Sequence, residues 1–415
     1  MIHMQINSVE NKDASLDTSG LNVLCGDVMN LIYKPLDPFN DSVCGFLCKL
    51  SQDLLHDRDA KNYPDIVTFA FFCRKANITK LKQSYASKIR NRVGRGLIFH
   101  IAPSNVPINF AYTLVFALLA GNACIVKASS KDFAQTRIVC AALDRVLEQF
   151  KELKPYINVV SYGRDRQEYT EFFSGICNVR VIWGGDLTIE TVRKANIGPR
   201  AFDITFSDRY SLALINADAV NRIAGENEKV MALAQDFYND TYLYDQNACS
   251  SPRMIYWMGD KQAVVKAQKT FWDAVYSNIK DRYPIEGETA VNKQMALSRT
   301  AIEIPGSIEE DAPDNKIVRV RIPNLVEKLP DLRCAGGFFQ EYCDGDLDAL
   351  ATIVDEKYQT ITYFGVNPEM VEDFVISNGL HGIDRIVPIG KGADLTLTWD
   401  GYDLIETMSR IIGVA

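Results

Sequence analysis

The sequence predicts an α/β protein built on parallel sheets, and three observations carry that expectation. Strands alternate with helices from Gly96 onward, a second strand–helix series begins after Cys249, and 415 residues is long for one small core. The stretch from Gly96 to Ala102 is short and apolar and stops at Pro103, which predicts a buried strand ending in a turn. A helix follows from about Asn109 to Ala120 and is closed by Gly121. Ala123 to Lys127 reads as the second strand. Ser129 and Ser130 are placed to cap a helix over Asp132 to Phe150, on which Ala134, Ile138, Ala141 and Ala142 share a face.

The pattern continues with a strand at Ile157 to Val160, a helix near Arg166 to Ser174 and a strand at Val179 to Ile182. Another helix runs to about Ala195 after the Gly184-Gly185 turn. Such spacing implies βαβ units. Ligands of parallel sheets bind beyond the carboxyl ends of the strands, so the loops after Ile101, Lys127 and Ile182 are candidate walls of one site. The second series has a strand at Arg253 to Trp257 and a helix from Asp260 to about Ile279, with Val264, Ala267, Phe271 and Val275 on one face. Glu286 to Leu332 is richer in Pro, Gly and charge and reads as loops around short strands, and residues 1–90 read as a mixed, largely helical lead-in. The domain boundary is expected near residue 240. That gives a nucleotide-binding domain over 1–240, a catalytic domain over 241–384, and a terminal segment, 385–415, packing back on the first domain.

Composition narrows the function. An apolar fraction of 47%, a charged fraction of 24% and a mean hydropathy of -0.09 describe an ordinary globular chain. The net charge of -8 argues against nucleic acid as a partner, because a phosphate backbone demands a concentrated basic face. The longest apolar stretch, Ile108 to Ala120, is about thirteen residues against the roughly twenty of a membrane-spanning helix, so no span is expected. The first thirty residues show no basic start and apolar run of a secretory signal. The ten cysteines include no CxxC pair, and the four histidines form no ligand pattern, so neither a metal site nor a disulfide framework is expected. Free thiols of this kind suit a reducing cytoplasm.

Cys249 has a chemical case of its own. A thiolate is the best side-chain nucleophile for an acyl carbonyl, and the thioester it forms still accepts hydride where an oxygen ester resists. Asn247 and Asn105 offer amide donors to the oxyanion of a tetrahedral intermediate, together with the backbone N–H of Cys249. Gly184 and Gly185 open a helix whose N–H groups and dipole suit a pyrophosphate. Trp183, Trp399 and the Asp400-Gly401 turn read as packing.

Three stretches resemble, in order, signature elements of the aldehyde dehydrogenase superfamily. Ala102-Pro103-Ser104-Asn105-Val106-Pro107 resembles the P-W-N-F-P turn. Ala117-Leu118-Leu119-Ala120-Gly121-Asn122-Ala123-Cys124-Ile125-Val126-Lys127 is similar to the A-L-A-A-G-N-x-x-x-x-K element, and Gln246-Asn247-Ala248-Cys249, with Arg253 beyond it, looks like the G-Q-x-C segment. Within that superfamily the chain resembles acyl-CoA reductases of the LuxC type. The residues behind this are Val181-Ile182-Trp183-Gly184-Gly185, Arg385-Ile386-Val387-Pro388-Ile389-Gly390 and Trp399-Asp400-Gly401-Tyr402-Asp403.

The resemblance implies an aldehyde dehydrogenase-like fold that reduces an acyl-CoA or other acyl-carrier thioester to an aldehyde. It also implies an acyl-protein synthetase partner and a homo-oligomer. Lys127 would bind the adenosine ribose of the cofactor. Ser130 stands where NAD-preferring members often carry Glu, which admits the 2′-phosphate of NADPH, with NADH as the alternative.

The general base of hydrolytic members, a Glu in an E-L-G-G-K element, aligns with Asp203 to Ser211, where no Glu occurs. Thr205 or Phe206 falls nearest its place, and Asp203 would reach it only in a shifted register. The rivals are a hydrolytic aldehyde dehydrogenase, a cofactor-free cysteine acyltransferase or thioesterase, and a non-catalytic scaffold subunit.

Overall fold

The computed structural model describes the backbone of residues 5–6 and all of residues 17–31, 33–104 and 106–414. The chain divides into one unit of Met1–Ser207 with Tyr402–Ala415 and a second of Asp208–Gly401. The division thus falls at Ser207, not near residue 240. The reason is the strand Tyr210–Asn216, which pairs in parallel with Pro252–Met258 on one side and Tyr358–Phe364 on the other. Its burial at all but its last position fits an interior strand of the second sheet. The returning segment starts at Tyr402 and not at 385, because Arg385–Pro388 pairs with Tyr358–Phe364.

The first unit is organised by a six-stranded sheet. Its order is Asn22–Cys25, Ile157–Ser161, Ala123–Lys127, Leu97–Ile101, Val179–Trp183 and Phe202–Phe206, parallel except for the first strand. The chain builds outward from Leu97–Ile101 in one direction and then in the other, so the strand order reverses beside that strand. Leu97–Ile101 and Val179–Trp183 are buried at every residue, including His100 and Arg180, as strands covered on both faces should be. The helix Asn109–Leu119 is likewise buried all round.

Asn122 ties this region together. Its carbonyl oxygen accepts from Arg95 N (2.7 Å) and Gly96 N (3.1 Å), and its amide donates to Ala117 O (3.1 Å) and Met408 O (2.9 Å). Gly121 beside it has φ 87°, and a Cβ there would meet Leu36 O at 2.1 Å, so only glycine fits. The next helix is Ala134–Leu147, capped by neither Ser129 nor Ser130. Ser129 Oγ instead accepts from Lys131 N in a local turn.

In the second unit a seven-stranded sheet runs Ile308–Glu310, Val318–Arg321, Phe338–Asp344, Pro252–Met258, Tyr210–Asn216, Tyr358–Phe364, Arg385–Pro388. Only the Ile308–Glu310 pairing is antiparallel. Lys261–Ile279 starts where Asp260 accepts from Gln262 N and Ala263 N, and it buries the expected face of Val264, Ala267, Phe271 and Val275. Each of Val264, Phe271 and Val275 is worth about 1.5–3 kcal/mol, and Ala267 less than that.

The region read as loops contains a helix, Gly287–Glu303. Its Ala, Leu, Met, Gln and Lys are good helix formers. The exposed Val291, Met295 and Ile302 blur the apolar periodicity that would have disclosed it. Among the described residues no helix is long and apolar enough to cross a membrane.

Candidate active site

In the first unit the candidate cofactor residues sit at the carboxyl edge of the sheet. Lys127 closes its strand with Nζ 4.9 Å from the centre of the Tyr162 ring. Burial, with help from Arg164, holds its ammonium below the usual lysine range. No ion pair joins Lys127 to a carboxylate among the described residues. Ser130 is exposed in the following turn.

Gly185 precedes the helix Asp186–Arg193, whose start has no side-chain cap. The Gly184 N–H is not available to a phosphate, since it donates to Phe206 O at 3.1 Å. Trp183 stacks on Phe206 with centroids 3.7 Å apart and donates to Thr113 Oγ1 at 3.2 Å, as expected of a packing residue. Asn105 lies outside the described residues.

Asp203 is not a base in waiting. It accepts a two-pronged contact from Arg180 (2.8 and 3.0 Å) and a third from Arg193 (3.3 Å). Arg180 is buried and also donates to Ser174 Oγ, Val192 O and Ala195 O. A carboxylate clamped this way is engaged as a structural partner. The strand ends in Thr205 and Phe206, neither of which titrates as a base.

The second unit presents Cys249 at the amino edge of its sheet, in the turn before Pro252–Met258. Asp245 and Gln246 adopt left-handed backbone, φ 50° and 59°. The Gln246 side chain holds that conformation: its amide donates to Pro252 O (2.8 Å) and Phe338 O (3.0 Å), and its oxygen accepts from Gly337 N (3.0 Å) and Phe338 N (3.2 Å). The glutamine of the Gln246-Asn247-Ala248-Cys249 segment therefore anchors the turn. Ser211 Oγ donates to Cys249 O at 2.7 Å and accepts from Thr360 N, which fixes the cysteine's backbone to two strands. Asn247 is exposed on the turn.

One side chain that sequence reasoning missed touches the thiol, and a second, read as packing, stands behind it. Gln359, buried at the start of Tyr358–Phe364, donates from Nε2 to Cys249 Sγ at 3.3 Å. The same nitrogen donates to Asp400 Oδ1. Behind Asp400 lies Arg209, with Nε 3.8 Å from Asp400 Oδ2, and Arg209 also pairs with Asp384. The Asp400-Gly401 turn, read as packing, thus reaches the candidate nucleophile. Its backbone is left-handed at both residues, φ 46° and 73°.

Burial, and next the Asp400 carboxylate, push the Cys249 thiol up to about 11. The Gln359 N–H and the backbone N–H groups of Ser250 and Cys249 pull it back. Burial also lifts Asp400, to about 6, against the pull of Arg209 and Gln359. Cys124 and Cys140, assigned to strand and helix interiors, are both buried there. Burial pushes Cys140 up to about 12 and Cys124 higher still.

The fold is similar to that of solved aldehyde dehydrogenases. One is the NAD-dependent benzaldehyde dehydrogenase of Corynebacterium glutamicum, at a TM-score of 0.60 and 13% identity over 90% of this chain and 84% of that one. Another is the lactaldehyde dehydrogenase of Escherichia coli, at 0.58 and 12% over 86% and 80%. In sequence the chain is similar to the long-chain acyl-protein thioester reductase of Photorhabdus laumondii subsp. laumondii, 26% identical over 326 residues, 77% of this chain and 63% of that protein. The enzyme of the same name from Aliivibrio fischeri is 26% identical over 168 residues, 40% and 33% of the two chains. The chain therefore spans from a third to just under two thirds of the length of these relatives. The model of the acyl-CoA reductase (LuxC) family matches residues 76–327, more than half of the chain, and the chain belongs to that family.

Proposed function

We propose that the protein reduces a long-chain acyl thioester, carried by CoA or by an acyl-protein, to the aldehyde through a thioester on Cys249. The observation that carries the reading is the setting of Cys249: a nucleophile on a rigid turn with an amide N–H against its sulfur. The Cys249 thiolate adds to the acyl carbonyl, and the backbone N–H of Cys249 with the Asn247 amide are the donors proposed for the oxyanion, Asn105 remaining a candidate from the sequence alone. The carrier's C–S bond then breaks, and the proton lost from Cys249 leaves on the departing thiol.

A nicotinamide cofactor, NADPH or NADH, would supply the hydride when bound, and collapse of the resulting adduct would break the Cys249 C–S bond, releasing the aldehyde and returning the thiolate. Lys127, a partly buried cation on an aromatic face, fits the ribose and phosphate end of such a dinucleotide, with Ser130 and the N–H groups at Gly185 beside it. The hydrolytic reading is disfavoured by the clamped Asp203 and by Thr205 and Phe206 at the end of that strand. Without an activated water the acyl-enzyme persists for reduction.

The test is single turnover of protein labelled by a long-chain acyl-CoA, followed for aldehyde, acyl-CoA and free acid with NADPH present. Aldehyde should dominate and the label should map to Cys249. Cys249→Ala should lower turnover by about a thousandfold or more while leaving the fold intact. Free acid as the main product, or label on another cysteine, overturns the reading.

A further inference from the structure

The Gln359 amide lies between two acceptors, and which of its ends faces the sulfur decides what it does there. With N–H toward Sγ it stabilises a thiolate, and with C=O toward Sγ it opposes one. Three neighbours fix the orientation. Asp400 Oδ1 accepts from Nε2, Cys249 Sγ accepts from the same nitrogen at 3.3 Å, and Thr360 Oγ1 donates to Oε1 at 3.2 Å. The Asp400 carboxylate is the only one of the three that cannot reverse its role while ionised, because a hydroxyl and a thiol each donate as readily as they accept. Asp400 is itself held, by the Arg209 guanidinium on its far side and by the left-handed Asp400-Gly401 backbone that turns its side chain inward. Asp384, paired with Arg209, and Arg385 complete the charges around it.

We infer that Gln359 is the donor that stabilises the Cys249 thiolate, and that Asp400, backed by Arg209, is the positioning residue that keeps the amide N–H on the sulfur. Two effects of Asp400 oppose each other. Its charge disfavours a nearby thiolate, whereas its hydrogen bond to Gln359 aims a dipole that favours one. The Asp400 charge weighs more on the thiol than the Gln359 bond does, but loss of the carboxylate frees the amide to turn its C=O toward the sulfur, which removes a donor and adds an acceptor at once. The inference rests on reading Cys249 as the nucleophile, and it adds what makes this thiol usable where burial alone would leave it as inert as Cys140.

The test is alkylation of Cys249 by iodoacetamide in this chain, mapped by peptide mass and followed as a rate from about pH 7 to about pH 10, below the raised thiol at about 11, where the rate tracks the thiolate fraction. Neither acyl donor nor nucleotide is present, so failure of the acyl reductase reading and failure of this inference show up in different measurements. Gln359→Leu should move the thiol's titration upward and slow alkylation at fixed pH by about tenfold, one unit of thiol pKa. Asp400→Ala should shift it the same way. Asp400→Glu, which restores the acceptor, should return most of the rate.

Asp400→Asn suits left-handed backbone and serves if the alanine variant does not fold, with circular dichroism as the check. It should fall between wild type and Gln359→Leu. Alkylation of Asp400→Ala or Asp400→Asn as fast as wild type, or faster, overturns the inference, since the carboxylate would then act only by its charge. An unshifted titration in Gln359→Leu overturns it equally.

Discussion

The two sheets arise from the same alternation of strand and helix, yet they offer their chemistry at opposite edges. In the first unit Lys127 and Gly185 follow the ends of parallel strands beside the place where strand order reverses. In the second, Cys249 precedes Pro252–Met258, and Ser211 and Gln359 are each second in their strands, all at the amino edge. The carboxyl edge collects helix starts, whose unpaired N–H groups and dipoles suit a polyanion. A nucleophile needs no such field. It needs a fixed position, which the amino edge supplies by tying one turn to two neighbouring strands. The first edge is therefore a set of separately placed groups, and the second is a connected network of side chains.

Three perturbations test that contrast, beginning with the strongest. Arg180→Met removes the cation from the Arg180–Asp203 pair and leaves Asp203 without its bidentate partner, which should cost about 3–5 kcal/mol. Hydrogen exchange should quicken in Val179–Trp183 and Phe202–Phe206. A melting temperature within a degree or so of wild type would mean that Asp203 is free to leave the pair, which would reopen it as a base.

The second perturbation acts on the second unit through pH. Asp240 is buried and accepts from Gly390 N (2.6 Å) and Gly392 N (2.8 Å), and burial raises its carboxyl to about 7 despite those bonds. A carboxyl raised in the folded state binds its proton more tightly there than in the unfolded chain. Its stabilisation is therefore complete below the ordinary carboxyl range, near 4, and is lost as pH rises through about 7. The slope from this group is at most about 1.4 kcal/mol per pH unit. Asp240→Asn should flatten denaturation midpoints measured between about pH 5 and pH 7. An unchanged slope would assign the pH response to other groups.

The mildest concerns cofactor choice. Ser130→Glu should lower the kcat/KM ratio for NADPH over NADH by about tenfold, through repulsion of the 2′-phosphate. An unaltered ratio would remove Ser130 from the ribose site.

Four strands of the first unit's main sheet were legible because each is a short, largely apolar run bounded by turn residues, and Ala123–Lys127 was read to its ends; Asn22–Cys25 and Phe202–Phe206 were not read as strands. The division at Ser207 was not, because Tyr210–Asn216 resembles one more strand of the preceding series until its pairing partners, 252–258 and 358–364, are known. Cys249 was singled out by local residue order, and the structure places it in the turn before Pro252–Met258. Gln359 and Asp400 were not, since no periodicity links positions so far apart. The available signals were a lone glutamine inside the buried run Tyr358–Phe364 and an aspartate fixed between Trp399 and a glycine. The cap assigned to Ser129 and Ser130 failed for a related reason. Serines satisfy a nearby turn as readily as a helix start, and only the backbone decides which.

The hydrogen bond between Gln359 and Cys249 spans 110 residues, and Asp400 lies 41 further on. On a ribosome adding about 5–20 residues per second, Cys249 emerges roughly 5 to 20 s before its amide partner and waits longer for the carboxylate. On the proposed role of Cys249, the thiol stands through that interval on an unfinished sheet without its amide donor. A product truncated before residue 359 would then carry the thiol without the Gln359 hydrogen bond.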